Sequence, residues 1–162
     1  MNDASASVHT ATPSATRRLG ERIGRLLRAG DVVLLSGELG AGKTVLAQGI
    51  GRGLGVTAPI KSSSFVIMNE YEGANLRLYH ADLYRLEDPQ QVAELALDEL
   101  AANGVLIVEW PERAPAELPA EHLLVRLSYE DARGRAIEFE GRGGRYVAMV
   151  GRLRLRQDGA RG

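Results

Sequence analysis

The chain has 162 residues, of which 44% are hydrophobic and 25% charged, the make-up of one ordinary globular domain rather than a fibrous or wholly disordered chain. Its 20 basic and 21 acidic side chains leave a formal net charge of −1, which provides no overall field for holding DNA, RNA or an anionic membrane. With no cysteine, no secretory leader pattern and no apolar run near the roughly 20 residues of a membrane span, disulfides and thiolate metal sites are excluded and a cytoplasmic location is expected.

Residues 1–15 are small and polar and are expected to form a disordered lead-in, so that a single domain spans 16–156 and a flexible tail covers 157–162. From Thr16, a plausible N-cap, the positions Leu19, Ile23, Leu26 and Leu27 recur at helical spacing. Asp31-Val-Val-Leu-Leu-Ser36 then reads as a parallel strand covered on both faces. It runs straight into a glycine-rich loop, and Val45 to Leu54 follows as a helix, weakened on paper by Gly49, Gly51 and Gly53.

Lys61–Tyr71 and Leu76–Asp82 are expected to pair around a turn at Gly73-Ala74-Asn75, the second as a half-exposed strand. Pro89 opens a helical segment reaching about Ala102, Val105–Val108 is a second wholly apolar strand, and Pro111, Pro115 and Pro119 stiffen the loop beyond it. Leu123, Val125 and Leu127, then Ile137 and Phe139, alternate about a turn at 131–134 as an antiparallel pair. One more strand or helix follows Arg142. The fold class expected from this order is α/β: a P-loop NTPase-like three-layer α/β/α arrangement with a mixed, mainly parallel central sheet and antiparallel C-terminal strands.

The loop Gly37-Glu38-Leu39-Gly40-Ala41-Gly42-Lys43-Thr44 matches G-x-x-x-x-G-K-[ST]. The chemistry needs that spacing: glycines let successive backbone N–H groups point at phosphate oxygens, and the following helix adds its positive end. Lys43 is expected to reach the β- and γ-phosphates of ATP and Thr44 to bind Mg2+. Lys43 and Lys61 are the only lysines, and lysine at a phosphate site is a compact charge that arginine does not reproduce.

Magnesium requires a carboxylate, and hydrolysis requires a group to place the attacking water. Glu109 follows the strand Val105–Val108, and Asp82 ends the strand Leu76–Ala81; a solvated carboxylate at a strand end is the alternative for each. Trp110 is expected in core or nucleotide-edge packing, and His80 on an exposed strand face. Ser62-Ser63-Ser64 is a nucleotide-sensing loop or a plain polar one. Arg77 and Arg85 are candidates for neutralising transition-state charge, or else surface residues.

Together, Gly37–Thr44, Lys61-Ser-Ser-Ser-Phe65, His80-Ala-Asp-Leu-Tyr-Arg-Leu86 and Val108-Glu-Trp-Pro111 resemble the TsaE family over about residues 16–140. The resemblance implies an ATPase needed for threonylcarbamoylation of adenosine 37 in tRNA, acting on a complex of the TsaD transferase with its TsaB partner. It meets tRNA only through that complex. It further implies that Lys43 and Thr44 contact phosphate and magnesium, that Glu109 is a magnesium-associated carboxylate, that Asp82 is essential for hydrolysis, and that Trp110 borders the nucleotide. The family usually carries Ser-Pro-Thr where Ser62–Ser64 stand here, and often Asp at the position of Glu38. Competing readings are a small-molecule P-loop kinase, a nucleotide-gated binding module with little hydrolysis, and direct tRNA contact through Arg142–Arg156.

Overall fold

The computed structural model describes the backbone of residues 3–61 and 67–159 and the side chains of 4–61 and 67–154. Strand β1 (Asp3–Thr10) opens the fold where a disordered lead-in was expected. Backbone pairing explains the difference, because eight residues form an antiparallel ladder with β7, from Asp3↔Arg142 to Thr10↔Arg135. Ala4, Ala6 and Val8 turn towards the core while Ser5, Ser7 and His9 face out. Deleting residues 1–11 should therefore cost about 2 kcal/mol, by the scale of a few buried methyl groups. A melting temperature lowered by ~5 °C checks this, and an unchanged one contradicts it.

Helix α1 (Pro13–Leu26) starts one turn before the expected cap, because Thr12 Oγ1 accepts from the Ala15 N–H at 3.1 Å and Pro13 supplies a preset φ at the first position. Thr16 is instead buried in the first turns, hydroxyl to hydroxyl with Thr10 at 2.6 Å. There follow β2 (Val32–Gly37), α2 (Lys43–Gly53), β3 (Met68–Glu72), β4 (Arg77–Asp82), α3 (Gln90–Glu94), α4 (Leu97–Ala102) and β5 (Gly104–Glu109). Two short 3-10 turns at Pro111–Arg113 and Pro115–Glu117 lead to β6 (His122–Tyr129), β7 (Arg135–Arg142) and α5 (Gly144–Gly159). The helical segment expected over Pro89–Ala102 is split at Ala96, whose φ is +51°.

The seven strands lie in the order β1-β7-β6-β2-β5-β4-β3. The four central strands are parallel, and the hairpins β3–β4 and β6–β7 and the added β1 make the antiparallel flanks. Val33, Leu35, Ile107 and Val125 face a core under α1, α2 and α5, while Val32, Leu34, Leu106 and Val108 face a second core under α3, α4 and the proline-rich loop. That is three layers, and it accounts for the unbroken apolar runs of β2 and β5.

The C-terminal segment is a helix, with Tyr146, Met149, Val150 and Leu153 forming its buried stripe. It continues to Gly159, so the expected tail from 157 begins inside it; residues 160–162 lie outside the described residues. Arg145 Nη2 donates to Asp31 Oδ2 at 2.9 Å and to the Leu26 carbonyl at 2.7 Å. Arg142 pairs with Glu140 at 3.0 Å. These two arginines fasten the fold. Burial pushes the Tyr146 phenol up, so it stays a neutral hydroxyl and accepts from the Val32 N–H at 2.9 Å.

Candidate functional site

Register places the site. Asp82 of β4 stands level with Glu109 of β5, and Glu109 is level with Leu35 of β2, two residues before the loop Gly37–Thr44 begins. Both carboxylates thus arrive at the C-terminal edge of the parallel strands, the end at which open α/β sheets bind ligands. The loop leaves β2, turns with positive φ at Gly37, Gly40 and Gly42, and enters α2 at Lys43. At Gly42 the φ of +104° is one that a Cβ would strain.

Lys43 is only 5% exposed. Its Nζ donates to the carbonyls of Gly37 at 2.6 Å and Glu38 at 2.8 Å, and lies 4.2 Å from the Trp110 ring centroid. Burial pushes its ammonium below the ordinary lysine value, and the carboxylates of Glu109, Glu112 and Asp82 partly restore it. Thr44 Oγ1 donates to Glu109 Oε1 at 3.3 Å. Asp82 Oδ1 accepts from the Tyr84 N–H at 3.0 Å.

Lys43, Thr44, Asp82, Glu109 and Trp110 line one cleft of about 220 Å³, with Leu39, Gly40 and Gly42 on its loop side. Gly37 and Glu38 meet it through their carbonyls to Lys43, and Ala41 is fully buried beneath the loop. The phosphate-loop lysine and threonine, the two carboxylates and Trp110 are therefore together. Ser62–Ser64 lie outside the described residues. Arg77 does not belong to the site: it sits at the opposite end of β4, paired with Glu70 and Glu72 at 3.5 and 3.4 Å. Arg85 is exposed, three residues beyond Asp82.

His80 corrects the sequence reading most. It is 2% exposed, not on an open face, and its Nε2 lies 2.6 Å from Glu109 Oε2. Glu109 is therefore held from two sides, by His80 behind and Thr44 in front. The sequence offered no sign of this, because β4 lies inside the sheet and its residues 78–81 are all buried, so polarity does not alternate along it. Tyr84 was also missed; its ring lies 4.9 Å from that of Trp110. Trp110 itself has φ of +59°, a left-handed conformation rare for a bulky residue, at the point where β5 stops.

The arrangement defines an α/β protein of the P-loop NTPase-like class, with a glycine-rich loop and its lysine beside a pair of strand-end carboxylates. The family model for the threonylcarbamoyl adenosine biosynthesis protein TsaE matches residues 10–137, and the chain belongs to the TsaE family. The tRNA threonylcarbamoyladenosine biosynthesis protein TsaE of a Nostoc species is 43% identical over 141 residues, covering 84% of this chain and 86% of its own. Its namesake in Bacillus subtilis is 38% identical over 145 residues, covering 89% and 90%. The crystal structure of Bacillus subtilis YdiB superposes with a TM-score of 0.83 at 32% identity, covering 97% of this chain and 99% of that one.

Proposed function

We propose that this chain is a magnesium-dependent ATPase serving threonylcarbamoylation of adenosine 37 in tRNA, through ATP binding and hydrolysis on a complex of a TsaD-like transferase and a TsaB-like partner. It meets tRNA only through that complex, in the cytoplasm. The membership supports the pathway. The observation that carries the chemistry is the contact of Thr44 Oγ1 with Glu109 Oε1 at 3.3 Å, beside a buried Lys43 at the mouth of a glycine loop.

The donors fit the ions. Hydroxyl and carboxylate oxygens are hard ligands suited to Mg2+, which takes one or two protein groups and completes its shell with phosphate and water. Bound at Thr44 and Glu109, magnesium would neutralise charge growing on the phosphates.

The chain's own groups do the rest. The loop amides and the N-terminus of α2 hold the triphosphate. Lys43 exchanges its carbonyl partners for phosphate oxygens. Asp82, level with Glu109 on the neighbouring strand and lining the same cleft, is the carboxylate that orients the attacking water. His80 keeps Glu109 aimed at Thr44, and Trp110 with Tyr84 walls the cleft on the nucleotide side.

The pathway is tested in cells depleted of their own TsaE. Expression of this chain should restore threonylcarbamoyladenosine to the tRNA pool, measured by nucleoside mass spectrometry, while Lys43→Ala should not. Restoration by the Lys43→Ala chain would remove nucleotide use from the account. No restoration by the native chain, although it is present and folded, would count against the pathway.

A further inference from the structure

The outer side of the phosphate loop is gripped by the β6–β7 hairpin. Three successive carbonyls are held: Tyr129 Oη donates to Leu39 O at 2.8 Å, Arg135 Nη2 to Gly40 O at 3.5 Å, and Arg135 Nε to Ala41 O at 3.1 Å. The guanidinium also lies over the Tyr129 ring, 4.4 Å from its centroid, and its Nη1 donates to the Gly134 carbonyl at 2.9 Å. Neither side chain lines the cleft.

We propose that Arg135 and Tyr129 are positioning residues for the nucleotide, holding the loop open from behind. The reason is the planar trans peptide, in which the carbonyl of one residue and the N–H of the next point opposite ways. Fixing the carbonyls of 39, 40 and 41 towards the hairpin turns the amides of 40, 41 and 42 towards the other side. The Ala41 amide is taken by the Glu38 carbonyl at 3.0 Å, which closes the turn, while Gly40 and Gly42 themselves line the cleft. Glycines give the loop freedom to curl, but freedom alone leaves many conformers, and an anion must then order the loop as it binds. A clamp removes that ordering cost beforehand. Gly40 belongs to the same device, since a Cβ there would meet Tyr129 Oη at 2.6 Å.

The fork is what matters, not the charge. Arg135→Lys keeps the cation and loses the paired donors, so it distinguishes positioning from simple attraction of phosphate. The inference rests on the nucleotide reading above, and the experiment separates the two. ATP dissociation constants are measured with Mg2+ for the native chain and for Lys43→Ala, Arg135→Lys, Arg135→Ala and Tyr129→Phe, together with deuterium exchange of the loop amides in the absence of nucleotide. Expected are a roughly tenfold weaker ATP affinity in both Arg135 variants, a smaller loss in Tyr129→Phe, and faster exchange confined to the loop, with unchanged melting temperatures. Native affinity in Arg135→Lys combined with loss in Arg135→Ala overturns the clamp in favour of charge. Native affinity and native exchange in all the hairpin variants, with Lys43→Ala unable to bind, overturn it outright. Binding by Lys43→Ala at native strength would instead sink the nucleotide reading, and the exchange data would still judge the clamp. If the Arg135 variants melt early, Tyr129→Phe, which deletes one hydroxyl, carries the test.

Discussion

Lys43→Ala is expected to weaken ATP binding at least ~100-fold, while Asp82→Ala and Glu109→Gln keep ATP and lose turnover by ~100-fold or more. The lysine is nearly buried and lies against the loop it would serve. A charge-assisted hydrogen bond is worth about 1.5–3 kcal/mol, so two lost phosphate contacts amount to ~3 kcal/mol or more, and each 1.4 kcal/mol is a factor of ten. The carboxylates act at a different point: they meet the charge and water of the reaction more than the ground-state triphosphate. Glutamine is chosen at 109 because alanine would leave His80, 2.6 Å away and buried, without its partner. Calorimetric titration with ATP and a phosphate-release assay check the split. Equal loss of affinity in all three variants would contradict it.

Gly49→Ala is expected to cost about 3 kcal/mol of stability, although alanine is the better helix former. Helices α1 and α2 cross through facing glycines, Gly20 and Gly24 on the first against Gly49 and Gly53 on the second. A Cβ on Gly49 would stand 3.0 Å from Gly20 Cα and closer still to the Arg17 carbonyl. These neighbours are backbone, so the helices must move apart, and overpacking of a filled core costs typically 1–3 kcal/mol. For a chain of this size the melting temperature should fall by ~6–12 °C. Gly151→Ala is the control. It lies in α5 with nothing within 4 Å of its Cβ position, and it should hold or raise the melting temperature by helix propensity alone. An equal response of the two variants would mean that propensity, not the crossing, decides.

The same glycines mark a limit of sequence reading. Gly49, Gly51 and Gly53 look like weaknesses in a helix until a partner helix is seen against them, and Gly51 serves yet another contact, with Ile60. The apolar runs of β2 and β5, the G-x-x-x-x-G-K-[ST] loop and the two hairpins were legible, because burial on both faces, close approach to phosphate and tight turns each restrict residue type strongly. Strand β1 was not. Its Ala–Ser alternation buries little apolar surface, and its pairing is carried by backbone groups that every sequence has. The cleft was legible as to Lys43, Thr44, Asp82 and Glu109, which stand at element ends. His80, Tyr129 and Arg135 were hidden because their roles depend on strands brought together by sheet order, β4 beside β5 and the β6–β7 hairpin behind the loop.

The most direct test of the account is phosphate release from ATP by the purified chain with Mg2+, alone and with its host's TsaD–TsaB pair, using Lys43→Ala as the blank. The account predicts release above the blank that rises when the pair is added. No release under either condition, with ATP still bound, would contradict it and make the chain a nucleotide-gated binding module in which Asp82 has no catalytic task.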